Sequence, residues 1–210
     1  MRQQERFRCT IMRGGTSKGV YILRNELPQD PDLRDSIILA IFGSPDVRQI
    51  DGLGGSDLLT SKVAIIGPSS RPDADVDYTF GQVGITEAKV DYSGNCGNIS
   101  SGVGPFAIYQ GLVDAIEPVT KVRIHMTNTK KVLVAEVPVK EGEPAIEGHY
   151  HMDGCPGTGA KISIDWSDKG GAVTGKILPT GNVKDILNVE EVGHVTVSIV
   201  DAGNPITFIL

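Results

Sequence analysis

The sequence lacks several features that mark specialised classes of protein. Its 210 residues contain 5% aromatics, and no apolar stretch approaches the roughly 20 residues of a membrane-spanning helix. The start, MRQQERFRCT, has no apolar segment typical of a secretion signal. The formal net charge is -6, and lysine and arginine form no continuous patch that would attract a phosphate backbone. These absences argue against a membrane span and against nucleic acid as a partner, and they favour a soluble, cytoplasmic protein.

Cysteine is also scarce. Cys9, Cys96 and Cys155 are an odd number and show no CxxC spacing, which argues against a disulfide framework and against a zinc site. A reducing compartment is therefore expected. Glycine, in contrast, is abundant at 26 residues, which indicates many tight turns and close approaches of backbone to backbone or to a ligand.

Short alternating segments between turn residues predict a strand-rich α+β fold. Residues 6–11 and 18–23 alternate polar and apolar positions on either side of a glycine-rich turn, which predicts a β-hairpin. Further strands are predicted at residues 62–66, 76–83, 88–92, 122–126, 131–137, 161–165 and 195–200.

Two helices are predicted. Asp30 and Pro31 form an N-cap and a first helical position, and Gly43 provides a C-terminal stop. A second helix begins near Asn98, with small residues on one side, and we expect it to be buried inside a curved sheet. Pro105 should kink this helix or end its first turns.

Residues 153–159, DGCPGTG, are nearly all turn-forming and predict a linker. We therefore expect one lobe at residues 1–156 and the beginning of a second, truncated lobe at residues 157–210. The second stretch is too short for a strand-rich domain of its own. Because its strands lack partners, we expect association with another copy of the chain. Because only half of the cleft is present, we expect the chain by itself to be inactive.

Cys96 is the strongest chemical candidate, because it directly precedes the predicted buried helix. Amides at a helix N-terminus and the positive end of the helix dipole favour a thiolate, which serves as a base or nucleophile. The alternative is a small buried cysteine at a turn. We also expect this thiol to be the most reactive of the three.

Lys62 opens a strongly apolar strand, and partial removal from water favours the neutral amine of a general base. The alternative is a lysine that points into solvent. The segment 13–19, RGGTSKG, combines amides, hydroxyls and cations suited to a carboxylate or phosphate. It does not match a P-loop, and the segment 51–55, DGLGG, does not match a dinucleotide-binding loop, so we exclude nucleotide binding at both.

No metal site is predicted. His149 and His151 lie close in sequence but lack a third ligand nearby. Asp73, Asp75 and Asp77 imitate the start of a calcium loop, yet the required glycine and final glutamate are missing.

Several segments together resemble the PrpF-type isomerases, over essentially the whole chain. They are 13–19, 51–55, 60–62 (TSK), 94–107 (GNCGNISSGVGPFA) and 178–182 (LPTGN). The segment 41–51, IFGSPDVRQID, most resembles the members of this family that act on methylitaconate.

The resemblance implies a diaminopimelate-epimerase-like fold: two similar lobes, each a mixed, mostly antiparallel sheet around a central helix, with the active site between them. It implies acid–base roles for Lys62 and Cys96. It also implies substrate contacts from Thr16, Ser17, Ser61, Asn95, Gly97, Asn98 and Asn204, although Ile206 stands where the family has a histidine after the Gly-Asn-Pro element.

The implied activity is a cofactor-independent proton shift that moves the double bond of a small unsaturated di- or tricarboxylate such as methylitaconate. Oxalomesaconate tautomerisation and methylaconitate isomerisation are alternatives within the family. A racemase or epimerase with the same fold is a further alternative, and a non-catalytic accessory protein is another.

Overall fold

Two α-helices, one 3₁₀ helix and fourteen strands form the chain in the computed structural model, which describes residues 4–167 and 170–209. Residues 1–3, 168, 169 and 210, which belong to the predicted lobes, lie outside this description. The helices are α1 (Pro31–Phe42), α2 (Gly97–Tyr109) and the 3₁₀ helix (Arg24–Glu26). The strands are β1 (Thr10–Gly14), β2 (Ser17–Leu23), β3 (Lys62–Pro68), β4 (Val76–Val83), β5 (Val90–Asp91), β6 (Val119–Met126), β7 (Lys131–Lys140), β8 (Glu143–Pro144), β9 (Tyr150–His151), β10 (Thr158–Gly159), β11 (Ser163–Asp165), β12 (Asp185–Val189), β13 (Gly193–Asp201) and β14 (Pro205–Ile209).

Nine strands form one mixed sheet. Its order is β1-β2-β3-β4-β6-β7-β11, with β5 beside β4 and β8 beside β7. Among the described strands of this sheet, β2 pairs with β3 and β4 pairs with β6 in parallel, and the other pairs are antiparallel. The predicted α+β class with a mixed, mostly antiparallel sheet is confirmed.

The sheet curves around α2, which contacts β1, β2, β3, β4, β6, β7 and β8. Its side chains Ile99, Val103 and Phe106 are buried in the main apolar core. A Cβ atom added at Gly102 would lie 2.3 Å from the Tyr21 hydroxyl, and one at Gly104 would lie 2.7 Å from a Val137 methyl group. The absence of side chains at these positions therefore lets strands approach the helix closely on two sides, as predicted.

Pro105 was predicted either to kink this helix or to end its first turns. The helix does not end at Pro105 and continues to Tyr109. Proline removes one backbone donor from the helix. The residues that follow it, Phe106 and Ala107, are buried in the core, and this burial outweighs the missing hydrogen bond.

Helix α1 covers the opposite face of the sheet, where Ile38 and Phe42 join a second apolar cluster. The Asp30 carboxylate accepts a hydrogen bond from the Leu33 amide at 2.8 Å, and Pro31 is the first helical residue. Gly43 ends the helix with φ of 72°. The predicted start and stop are both confirmed.

The first hairpin is shorter than predicted. Strand β1 begins at Thr10, which pairs with Tyr21 of β2, and residues 6–9 pair with no strand. Cys9 is consequently exposed, whereas Cys96 is buried. The greater solvent exposure of Cys9 therefore argues against the expectation that Cys96 is the most reactive thiol.

Strand β11 pairs with β7 in the nine-stranded sheet. This strand follows the predicted boundary after Pro156, and that boundary stays a prediction. Strands β12, β13 and β14 form a separate three-stranded sheet on which Ile186, Ile206 and Phe208 are exposed. Among the described residues, no helix has the length and apolar character needed to cross a bilayer.

A buried carboxylate ties β4 to β6. Asp77 accepts hydrogen bonds from the Ser70 amide at 3.0 Å and from Arg24 at 3.0 Å, and it lies 2.8 Å from His125 Nδ1. Burial opposes ionisation, but the hydrogen bonds from His125, Ser70 and Arg24 prevail and lower the pKa of Asp77 to about 2.

We predict that Asp77 makes the free energy of unfolding depend on pH in the acidic range. Because its pKa is lower in the folded state than its ordinary value of 3.8, the ionised form stabilises the fold above pH 3.8, and this contribution disappears as the pH falls toward 2. It amounts to roughly 2 kcal/mol. Urea unfolding across this range should show the loss, and Asp77→Asn should reduce it. Asp114→Asn, at an exposed position, is the control. An unchanged pH dependence in Asp77→Asn would contradict the assignment.

Candidate active site

An amine and a thiol from two different elements meet at the centre of the site. Lys62 is the first residue of β3, and Cys96 is the N-cap of α2. Lys62 Nζ donates a hydrogen bond to Cys96 Sγ at 3.3 Å, and each residue is only 8% exposed. Nζ also lies 5.7 Å from the centre of the Phe80 ring. The structure thus brings the two predicted acid–base residues into hydrogen-bond contact in partly apolar surroundings. A proton can pass along this hydrogen bond.

Hydrogen bonds from Ser100 to the Cys96 carbonyl hold Cys96 in place. Its carbonyl accepts hydrogen bonds from the Ser100 amide at 3.0 Å and from the Ser100 hydroxyl at 2.8 Å. The first amides of a helix have no acceptor within the helix and carry the positive end of its dipole. Negative charge on a ligand is therefore favoured at this end of α2.

Two neutral phenols lie beneath the thiol. Burial, with a contribution from Cys96, raises the pKa of Tyr21. Burial also raises the pKa of Tyr78, with smaller contributions from Tyr21 and Cys96. The Tyr21 hydroxyl donates to the Ile99 carbonyl at 2.7 Å and so fixes the first turn of α2 to β2. The two buried tyrosines near the thiol are therefore uncharged.

The predicted β1–β2 turn packs directly on this helix start. The Asn98 side-chain amide donates to Thr16 Oγ1 at 2.9 Å and to Ser17 Oγ at 3.2 Å. A Cβ atom at Gly14 would lie 2.3 Å from the Asn98 carbonyl oxygen, and one at Gly15 would lie 2.3 Å from Asn98 Oδ1. Three of the predicted binding residues are thus brought together, with hydroxyl groups beside the helix N-terminus.

A later segment reaches the other side of the helix start. Asn95 Nδ2 donates to the Gly203 carbonyl at 2.6 Å and to Asn204 Oδ1 at 3.2 Å. Both predicted asparagines therefore lie at the site, on the chain segments that precede α2 and follow β13. Their contact with substrate stays a prediction.

Ser61 is placed differently from the other candidates. It is wholly buried, and its hydroxyl donates to the Val83 carbonyl at 2.9 Å and accepts from Gln49 Nε2 at 2.8 Å. The hydroxyl is thus engaged by protein groups. Its predicted contact with substrate stays untested.

Two neighbours of the site were not found from the sequence. A Cβ atom at Gly97 would lie 3.3 Å from the Trp166 ring, so the indole lies over the first residue of α2. Cys155 Sγ accepts a hydrogen bond from Arg13 at 3.1 Å and contacts the Gly15 carbonyl at 3.1 Å. Trp166 is the single tryptophan of the chain, but no sequence pattern places it beside Gly97.

The histidines considered for a metal are not part of a ligand cluster. Over residues 4–167 and 170–209, no group of three or more His, Cys, Asp or Glu side chains is arranged to hold a metal ion. His151 lies 3.8 Å from Asp153, and both side chains are exposed. A metal-free reaction stays a prediction.

Comparison with known proteins gives consistent matches. A family model described as PrpF protein matches residues 4–210. The 3-methylitaconate isomerase of Eubacterium barkeri is 61% identical over 209 residues, which are 100% of this chain and 55% of that protein. The 4-oxalomesaconate tautomerase of Pseudomonas putida is 51% identical over 206 residues, which are 98% of this chain and 56% of that protein. This chain therefore spans about half the length of these relatives.

Solved structures agree with the fold. A crystal structure of methylitaconate-delta-isomerase matches with a TM-score of 0.83 and 62% identity, over 96% of this chain and 52% of that one. A probable proline racemase from Agrobacterium radiobacter matches with a TM-score of 0.53 and 13% identity, over 96% of this chain and 51% of that one. The second likeness concerns the fold alone. Together they confirm the predicted diaminopimelate-epimerase-like fold.

We predict that Gly14→Ala destabilises the chain by about 2 kcal/mol or more, because the new methyl group would collide with the Asn98 backbone. Gly170→Ala is the matched control, since its methyl group would meet Ile177 at an ordinary distance of 3.6 Å. That control should change the free energy of unfolding by less than about 0.5 kcal/mol. Urea unfolding measures both. Equal effects would show that the turn and the helix start are not tightly packed.

Proposed function

This chain belongs to the PrpF family, and from that premise we propose that it is part of an isomerase that shifts a proton, and with it a double bond, in a small unsaturated polycarboxylate. Methylitaconate is the substrate we favour, because the chain is 61% identical, over 209 aligned residues, to the 3-methylitaconate isomerase of E. barkeri. The observation that carries the proposal is the contact of 3.3 Å between Lys62 Nζ and Cys96 Sγ at the start of α2.

The reaction needs one group that removes a proton and one that returns it. The substrate contains an alkene conjugated with a carboxylate. The base takes a proton from the carbon next to this alkene. Electrons move into a dienolate, and an acid then delivers a proton two carbons away, so the double bond moves and no atom is gained or lost. Lys62 and Cys96, which already share a hydrogen bond, supply these transfers. This chemistry requires neither a metal nor an organic cofactor.

The dienolate places negative charge on a carboxylate, so the site must hold that group with donors fixed in advance. The Thr16 and Ser17 hydroxyls, oriented by Asn98, lie beside the N-terminal amides of α2. Asn95 and Asn204 lie at the same helix start. We assign the substrate carboxylates to these groups.

The alternatives differ in what they require. Oxalomesaconate tautomerisation needs a proton shift of the same kind, whereas the cis–trans isomerisation of methylaconitate changes the geometry about the double bond. A racemase needs a carboxylate that binds the substrate ammonium, and the likeness to a proline racemase concerns only the fold. A non-catalytic accessory protein would bind without exchanging protons.

The setting we propose is the cytoplasm, since all three cysteines are free thiols, as a reducing compartment maintains them. Association between copies also belongs to the proposal, because strands of the separate three-stranded sheet expose apolar side chains such as Phe208. We further propose that the 210-residue chain by itself is inactive, because the relatives it matches are about twice its length.

Proton NMR in D₂O tests the function. A full-length version should exchange deuterium into methylitaconate, with slower or no exchange into oxalomesaconate and methylaconitate supplied in parallel. Deuterium exchange into oxalomesaconate or methylaconitate instead would identify that compound as the substrate and assign the protein to the corresponding branch of the family. Binding without exchange into any of them would favour the accessory protein.

We predict that Lys62→Ala abolishes isomerisation in the full-length enzyme, whereas Cys96→Ser leaves a measurable remnant because the hydroxyl preserves part of the contact with the amine. Loss of one general acid–base group costs about 10²- to 10⁴-fold in rate. Cys9→Ser is the matched control, because Cys9 is exposed and precedes β1, and it should retain full activity. Equal and total losses in Lys62→Ala and Cys96→Ser would contradict this division of roles.

A further inference from the structure

Gln49 is a polar side chain in an unusual position. It lies in the connection between α1 and β3, yet it is only 1% exposed. Its Nε2 donates to Ser44 Oγ at 2.9 Å and to Ser61 Oγ at 2.8 Å, and its Oε1 accepts from the Ser56 amide at 2.9 Å. Both ends of the amide group are therefore engaged, and one of them holds the residue directly before Lys62.

The connection is folded tightly around this amide. A Cβ atom at Gly54 would lie 2.2 Å from Gln49 Oε1, so no larger residue fits there. Gln49 itself has φ of 46°, in the left-handed region that residues other than glycine seldom occupy. The backbone accepts an unfavourable conformation at the residue whose side chain reaches Ser61.

Ser61 is held from two directions. Its carbonyl accepts hydrogen bonds from the Val83 amide at 3.0 Å and from Gln82 Nε2 at 2.7 Å, and these fix its backbone to β4. Its hydroxyl donates to the Val83 carbonyl at 2.9 Å and accepts from Gln49 Nε2 at 2.8 Å, and the second of these contacts comes from the α1–β3 connection. Together these contacts leave Ser61 one orientation.

Consecutive residues of an extended chain point to opposite sides. Ser61 points toward Gln49, and Lys62 points toward Cys96. A rotation of the backbone at Ser61 would therefore swing the Lys62 amine away from the thiol. The contact on one side of the strand controls the contact on the other side.

We propose that Gln49 is a positioning residue that acts through Ser61 to hold the Lys62 amine against the Cys96 thiol. The consequence for turnover rests on the proposed function, but the effect on the amine–thiol contact does not. Gln49 touches neither Lys62 nor Cys96 by a hydrogen bond among the described residues; its influence passes through Ser61.

The first experiment follows the ultraviolet absorbance of the Cys96 thiolate against pH, in the 210-residue chain with Cys9→Ser and Cys155→Ser. Gln49→Leu should displace the thiolate signal to higher pH, because a misplaced amine no longer stabilises charge on the sulfur. In a Lys62→Met background, Gln49→Leu should have no further effect. Gln29→Leu, at an exposed position, is the matched control and should leave the curve unchanged.

Ser61→Ala provides a second route, because it removes the intermediary hydroxyl and leaves Gln49 in place. It should displace the curve in the same direction as Gln49→Leu, and the two changes together should displace it no further than one alone. If Gln49→Leu does not fold, as judged by circular dichroism, Ser61→Ala decides the question. An unchanged curve in Ser61→Ala, or a displacement by Gln49→Leu that persists without Lys62, overturns the proposal.

The second experiment uses the full-length enzyme. Gln49→Leu should lower kcat by roughly ten- to a hundredfold, as expected for a displacement of about 1 Å in a reacting group, and leave KM within about threefold. A rise in KM with unchanged kcat would overturn the catalytic part. Failure of every substrate to exchange would contradict the proposed function, while the absorbance curves would still decide the role of Gln49.

Discussion

The enclosure of α2 by the curved sheet is the constraint on which the rest of the structure depends. The helix can be surrounded by strands only because its residues at the closest approaches, Gly102 and Gly104, have no side chains. Burial of Ile99 and Phe106 in the same core stabilises this arrangement by several kcal/mol. The N-terminus of the helix is thereby fixed at one end of the sheet, with its unpaired amides directed toward the site.

The chemistry follows from that fixed helix start. Cys96 is the last residue before the helix, and β3 delivers Lys62 to the sulfur from the surrounding sheet. The turn between β1 and β2 packs on Asn98 with hydroxyl groups at its tip. The groups proposed for acid–base chemistry and those proposed for anion binding thus come from separate parts of the chain, and the curvature of a single sheet brings them together.

Segments far along the chain complete the surroundings of this site. Trp166 covers Gly97, Cys155 contacts the turn through Gly15, and Gly203 accepts a hydrogen bond from Asn95. Each of these contacts joins a residue after position 150 to α2, to the segment directly before it or to the β1–β2 turn. One residue of the predicted linker, Cys155, therefore lies beside the site. The pairing of β11 with β7 shows the same integration in the sheet itself.

Features that depend on neighbours along the chain could be predicted from the sequence. The cap at Asp30, the stop at Gly43, the start of α2 at Cys96 and most strands follow from local hydrogen bonding and from the period of apolar residues. Acid–base roles for Lys62 and Cys96 were predicted through resemblance to a family. Their contact was found only in the structure, because 34 positions separate the two residues and no local signal relates them. The engagement of Ser61 by Gln49, the position of Trp166 and the shortened first hairpin became known only from the three-dimensional structure. These depend on which strands become neighbours when the sheet closes around α2, and the balance of pairing and burial across the whole chain sets that choice.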